Sequence, residues 1–139
     1  MDISFAGKVV IVAGGTGGLG KAVSLAFLEE DAKVVVTYRK EEEYAALRDA
    51  AGGRADRLEC HRVDLSDEIA GAEFVAGVTA KHGKLDAVVN AIGGYAGGTK
   101  LWEAETKVLD TMLSVNLRSG FTLARAVLPT MLQQGMDRL

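Results

Sequence analysis

A chain of 139 residues with 48% hydrophobic content can bury one core but is far too short for a cofactor domain plus a separate substrate domain. Sixteen Lys and Arg against nineteen Asp and Glu leave a formal net charge of -3, which removes the electrostatic case for nucleic acid or an anionic membrane as the main partner. The expectation is one domain over residues 1–139 that handles a small soluble molecule.

The start, Met1-Asp2-Ile3-Ser4, places no basic segment ahead of an apolar one, and no apolar run is long enough to cross a bilayer. A chain without an export or anchoring signal is expected, hence a cytoplasmic one. The first predicted strand is Lys8 to Ala13. Within it Val9 to Val12 is a continuous β-branched run suited to burial on both faces of a sheet.

That strand enters Gly14-Gly15-Thr16-Gly17-Gly18-Leu19-Gly20. Glycine has no Cβ, so a turn built of it lets the backbone approach a pyrophosphate, while free N–H groups at the next helix start point at the anion. Gly15, Gly17 and Gly20 fit Gly-x-Gly-x-x-Gly; Gly14, Gly17 and Gly20 fit a second spacing; Gly14, Gly18 and Gly20 fit a third. Spacing alone does not choose among them. The strand, glycine turn, helix context points to dinucleotide binding over a ligand-free flexible turn.

Leu19, Val23, Phe27 and Glu30 mark the first helix, whose apolar members are expected to face the sheet, with its end at Asp31. Strand two, Lys33 to Thr37, runs into Tyr38-Arg39-Lys40, and a helix from about Glu41 opens with three glutamates that suit its positive dipole end. Strand three, Leu58 to Val63, contains the lone Cys60, read as a small buried hydrophobe in a reducing compartment. Helix three runs from about Asp67, with Ser66 as N-cap, to His82 and Gly83. Strand four is Leu85 to Asn90. A long helical region, of one or two segments, spans about Glu103 to Gln134, with Pro129 expected to kink its last turns. The alternation predicts an α/β fold: a doubly wound, Rossmann-like parallel sheet of order 3-2-1-4.

Among smaller signals, His61 and His82 lack metal-ligand spacing and read as a strand residue and a helix C-terminal cap, so no metal site is expected. Leu101 and Trp102 are expected to pack under a loop, the alternative being that they line a substrate cleft beyond strand four. An acid near the end of strand two would bind the ribose 2′-hydroxyl of NAD, whereas an Arg there accommodates the 2′-phosphate of NADP. Arg39 and Lys40 therefore predict NADP(H) over NAD, against the plainer reading that they pair with Glu41 to Glu43 on a solvated face.

Phe5-x-Gly7-Lys8, the glycine turn, Asp64-Leu65, Asn90-Ala91-Ile92-Gly93 and Ser114-Val115-Asn116-Leu117 together resemble the short-chain dehydrogenases/reductases of compact, single-domain type, over nearly the whole chain. The resemblance implies the third glycine spacing, so Gly14, Gly18 and Gly20 take the family's roles, with Thr16, Gly17 and Leu19 in the same turn. It places the family's acidic position at about Tyr38. It makes Asp64 an acceptor for the adenine amine with Leu65 supplying backbone beside it; taken alone, Asp64 reads equally as an acid at a helix start. It sets Asn90, Ala91 and Gly93 along the cofactor, although Ala91 and Ile92 depart from the family's Asn-Ala and Ile92 adds volume beside the ribose path. Asn116 matches the helix Asn that helps hold a water in the proton relay, the one catalytic candidate.

The activity so implied is hydride transfer between NADP(H) and a carbonyl or alcohol substrate. Its Tyr-x-x-x-Lys pair and Ser are not found: none of Tyr38, Tyr44 and Tyr95 has Lys four positions on. Gly135-Met136-Asp137-Arg138-Leu139 resembles the approach to the family's fifth strand. The chain is therefore expected to be the cofactor-binding N-terminal part, truncated before strand five and inactive alone; the alternatives are a nucleotide-binding sensor or assembly module, or a short chain completed by a partner chain. Strand four would be a poor sheet edge. The resemblance also implies a homo-oligomer through the long helix from about Glu103, involving Leu113, Leu117 and Phe121.

Overall fold

Four β-branched or alternating runs form one parallel sheet in the computed structural model, which describes residues 4–135. They are β1 (Val9–Ala13), β2 (Lys33–Tyr38), β3 (Leu58–Arg62) and β4 (Ala87–Asn90), in the order β3-β2-β1-β4. Val10 is in register with Val34 of β2 and with Ala87 of β4, so β1 is central and every residue in it is buried. The Met1 to Ile3 start and the Met136 to Leu139 approach to a fifth strand lie outside the described residues. No helix among the described residues is long and apolar enough to cross a membrane.

Successive side chains of β1 point to opposite faces and thereby found two cores. Val9, Ile11 and Ala13 pack with Phe74, Val75, Val78, Leu123 and Val127 on one side. Val10 and Val12 pack with Leu28, Leu47 and Ala51 on the other. The crossover helices α1 (Gly18–Glu29), α2 (Glu41–Ala51) and α3 (Glu68–His82) supply these layers, as the double winding requires.

Several local expectations shift. The buried residues of α1 are Gly20, Ser24 and Leu28, while Leu19 is 70% exposed. Small residues at 20 and 24 let the helix lie hard against the glycine turn, and a hydrophobic count overlooks them. The helix closes at Glu29, and Asp31, two residues on, holds the left-handed conformation with φ 65°. The N-cap of α3 is Asp67 and not Ser66: its carboxylate accepts from the N–H groups of Ile69 at 3.0 Å and Ala70 at 3.1 Å. Ser66 instead donates to Asp64 through Oγ at 2.6 Å. Gly83, with φ 73°, caps the far end in place of His82.

The long helical region divides into α4 (Thr106–Leu113), a π turn (Ser114–Arg118) and α5 (Ser119–Gly135). The interruption thus falls at the π turn, and α5 runs on through Pro129. Two amides tie this helix to the ends of the β4 segment. Gln134 both accepts from Leu85 N (2.9 Å) and donates to Leu85 O (2.7 Å), and Asn116 does the same with Gly94, at 3.0 Å each way. Leu101 and Trp102 are 87% and 80% exposed, so neither packs under the loop.

Edge strand β3 is clasped to the C-terminus of α3 by Glu59, whose carboxylate meets His61 Nε2 at 2.6 Å, His82 Nε2 at 2.9 Å and Lys81 Nζ at 2.9 Å. Burial pushes the Glu59 carboxyl up, but the three donors prevail and hold it down at about 2 against an ordinary 4.5. A carboxyl depressed by folding stabilises the fold above its unfolded pKa, and that contribution fades as pH falls through the folded value. Urea melts of the wild type should lose stability between pH 4.5 and about 2, with part of the slope absent in Glu59→Gln; identical slopes in both would exclude the clasp. Cys60 next to it is half-buried and its thiol is pushed up to about 11, chiefly by burial, as expected of a packing residue.

Candidate nucleotide-binding site

The C-terminal ends of the strands and the start of α1 enclose a cleft of about 300 Å³. It lies where neighbouring strands β2 and β4 leave β1 in opposite directions, the place where open α/β sheets bind ligands. Its floor is the glycine turn. Gly14 sits at φ +68°, and a Cβ there would lie 3.0 Å from Ile92 Cγ1. A Cβ on Gly20 would lie 1.9 Å from the Gly14 carbonyl oxygen, and one on Gly15 would lie 2.5 Å from Val36 Cγ1. These three glycines are demanded by the turn itself.

Gly18 differs. Nothing lies within 4 Å of a Cβ built on it, and its φ needs no glycine. Helix α1 begins here with Gly17 as an N-cap that has no side-chain hydrogen bond, and its first i to i−4 bond runs from Lys21 N to Gly17 O at 2.7 Å. The N–H groups of Gly18, Leu19 and Gly20 precede that bond and have no i−4 partner inside the helix. Open space beside unused donors at a positive helix end fits a diphosphate by its chemistry. Thr37 holds the turn in place: its Oγ1 accepts from Gly14 N at 3.0 Å and its carbonyl accepts from Gly15 N at 3.2 Å.

Charge enters from β2 and α2. Tyr38, Arg39, Lys40 and Glu43 line the cleft. The Tyr38 ring stacks on Tyr44 with centroids 4.9 Å apart, and its hydroxyl donates to Glu41 Oε1 at 3.0 Å. Lys40 Nζ lies 3.6 Å from Glu43 Oε1, whereas Arg39 forms no ion pair among the described residues. The plainer alternative, in which both cations pair with Glu41 to Glu43 on a solvated face, therefore applies to Lys40 only. Across the cleft, the Ser66 hydroxyl chiefly holds the Asp64 carboxyl below the usual range; burial opposes it, and the Ser66 N–H and the Arg39 charge add smaller lowering effects. Leu65 is 2% exposed and locks this wall into the core.

A family model for short chain dehydrogenases matches residues 8–138. The chain belongs to the short chain dehydrogenases. A tropinone reductase-like protein 2 from Erythroxylum coca is 35% identical over 131 residues, 92% of this chain and 46% of its own length. The NADP-dependent 3-hydroxy acid dehydrogenase YdfG of Escherichia coli is 29% identical over 126 residues, 91% of this chain and 50% of its own length. A crystal structure of a metagenomic short-chain oxidoreductase in complex with NADP superposes with a TM-score of 0.85 at 35% identity, covering 95% of this chain and 60% of that one. The chain spans about half the length of the curated relatives it matches.

Of the residues that the sequence reading assigned to cofactor, Gly14, Thr16, Gly17, Tyr38, Arg39, Lys40, Asp64, Leu65, Ala91 and Gly93 line the cleft. Gly18, Leu19, Gly20 and Asn90 do not line it. Asn90 accepts from Ile92 N at 3.1 Å and so shapes the loop after β4. Asn116 also stays outside, with both ends of its amide engaged by the Gly94 peptide and Nδ2 also reaching Met112 O at 2.9 Å. Thr37, Glu43 and Ser119 line the cleft without having been singled out from the sequence. Thr37 was legible as a hydroxyl residue at a strand end beside the turn, and Glu43 as the acid three residues after Lys40. Ser119 reaches the cleft only through the packing of α5.

Proposed function

We propose that this chain supplies, as one domain, the dinucleotide-binding part of an NADP(H)-dependent oxidoreductase that transfers hydride between NADP(H) and a small carbonyl or alcohol substrate. The observation that carries the reading is the glycine turn on the cleft, where Gly14, Thr16 and Gly17 line it beside a start of α1 whose N–H groups meet no side-chain cap, with open space at Gly18 next to it. The turn from Gly14 to Gly20 would hold the diphosphate through backbone N–H groups. Asp64 would accept from the adenine amine, Leu65 would fix that wall, and Arg39 with Lys40 would take the 2′-phosphate. Asn90, Ala91 and Gly93 would flank the ribose. When bound, the nicotinamide supplies the hydride.

Asn116 acts in this reading as a positioning residue that holds the loop after β4 through Gly94. A stripe of Leu113, Leu117 and Phe121, 48%, 65% and 64% exposed, supports self-association through the long helix, which light scattering reads directly. The lone Cys60 is consistent with a cytoplasmic setting. NADP-dependence and bound NADP among relatives support the choice of cofactor.

Fluorescence titration tests the assignment. NADPH should bind more tightly than NADH, and Arg39→Gln should weaken NADPH by about tenfold while sparing NADH, the scale of a charge-assisted hydrogen bond to phosphate. Equal affinities would remove the NADP preference, and binding of neither would remove the nucleotide site.

A further inference from the structure

Glu43 is the carboxylate that opposes the two cations at the β2 end of the cleft. Both of its oxygens are held: Oε1 faces Lys40 Nζ at 3.6 Å, and Oε2 accepts from Thr16 Oγ1 at 3.3 Å. Thr16 belongs to the glycine turn and is 6% exposed, so the hydroxyl that orients Glu43 is itself fixed. The carboxylate is thus anchored on the cleft wall between the turn and the Arg39-Lys40 pair. An incoming phosphate there meets a fixed negative charge and a lysine already engaged. A ribose hydroxyl, which is neutral and can donate, meets neither obstacle.

We propose that Glu43 is a specificity-determining residue that restrains selection for the cofactor's 2′-phosphate by engaging Lys40 and repelling the phosphate. The inference rests on the nucleotide-binding reading above and adds a residue that works against the preference set by Arg39. It makes this end of the cleft a balance in which Arg39 attracts the phosphate, Lys40 is already engaged and Glu43 opposes it.

The test measures dissociation constants of NADPH and NADH for the wild-type chain, Glu43→Gln, Lys40→Gln and the double variant. Glutamine keeps an acceptor for Thr16 and removes only the charge. Glu43→Gln should tighten NADPH by about fivefold, the scale of an exposed charge pair, and leave NADH unchanged; the gain should shrink at high salt. Lys40→Gln should weaken NADPH more in the Glu43→Gln background than in the wild type, because the lysine is then free to serve the phosphate. A Glu43→Gln chain that binds both nucleotides with equally altered affinity, or NADPH more weakly, overturns the inference while the nucleotide site stands. A wild type that binds neither nucleotide overturns both.

Discussion

Gly20→Ala is expected to destabilise the chain by at least about 3 kcal/mol, the upper end of overpacking costs. The new methyl would lie 1.9 Å from the Gly14 carbonyl oxygen, 2.8 Å from its carbon and 2.9 Å from Gly15 Cα, all backbone atoms with no rotamer to yield. The turn would have to open or α1 to lift from the sheet. A melting temperature lower by about 10 °C is the corresponding signal in circular dichroism. Gly18→Ala is the control, since a methyl there meets nothing within 4 Å. Its stability should hold, because alanine enters a helix more readily than glycine. Its affinity for NADPH should nonetheless fall about tenfold, because the methyl fills space that a diphosphate needs beside the helix N–H groups. An unaltered melt for Gly20→Ala would refute the turn geometry, and unaltered binding by Gly18→Ala would refute the close approach.

The chain on its own is expected to bind nucleotide yet reduce no carbonyl substrate above the uncatalysed rate. Hydride transfer to a carbonyl needs a proton on the developing alkoxide, and a positioned acid supplies about 10²- to 10⁴-fold. Such a phenol needs a nearby cation to bring its pKa towards neutrality. Tyr38, the tyrosine lining the cleft, donates its hydroxyl to Glu41 at 3.0 Å, and beside a carboxylate the proton is held rather than released. Tyr44 accepts from Arg48 at 3.0 Å but does not line the cleft, and Tyr95 is 91% exposed. NADPH oxidation followed at its nicotinamide absorbance, with a panel of aldehydes and ketones, checks this; substrate-dependent turnover by the purified chain would show that another group carries the proton.

The alternation of β-branched runs with helical stretches made the sheet order legible, because strands buried on both faces must read as continuous apolar segments. The glycine turn was legible for a similar reason: at Gly14 a φ of +68° and a Cβ position 3.0 Å from Ile92 Cγ1 together strain any residue that carries a side chain. Asp67 as the cap of α3 was less so, since Ser66 and Asp67 are both good caps and only the backbone path decides which carboxylate or hydroxyl meets Ile69 N and Ala70 N. The buried face of α1 escaped hydrophobic periodicity because closeness, and not apolarity, selects Gly20 and Ser24, whose Oγ donates to Gly15 O at 3.1 Å.

By itself, the sequence determined the strand order, the place of the glycine turn and the family, since each is written in local residue type and spacing. The tertiary structure alone decided which glycines are packed and which is open, that Thr16 holds Glu43, and that Asn116 grips Gly94. Those depend on distances between residues far apart in the chain, between Thr16 and Glu43 or between Asn116 and Gly94, which no periodicity records.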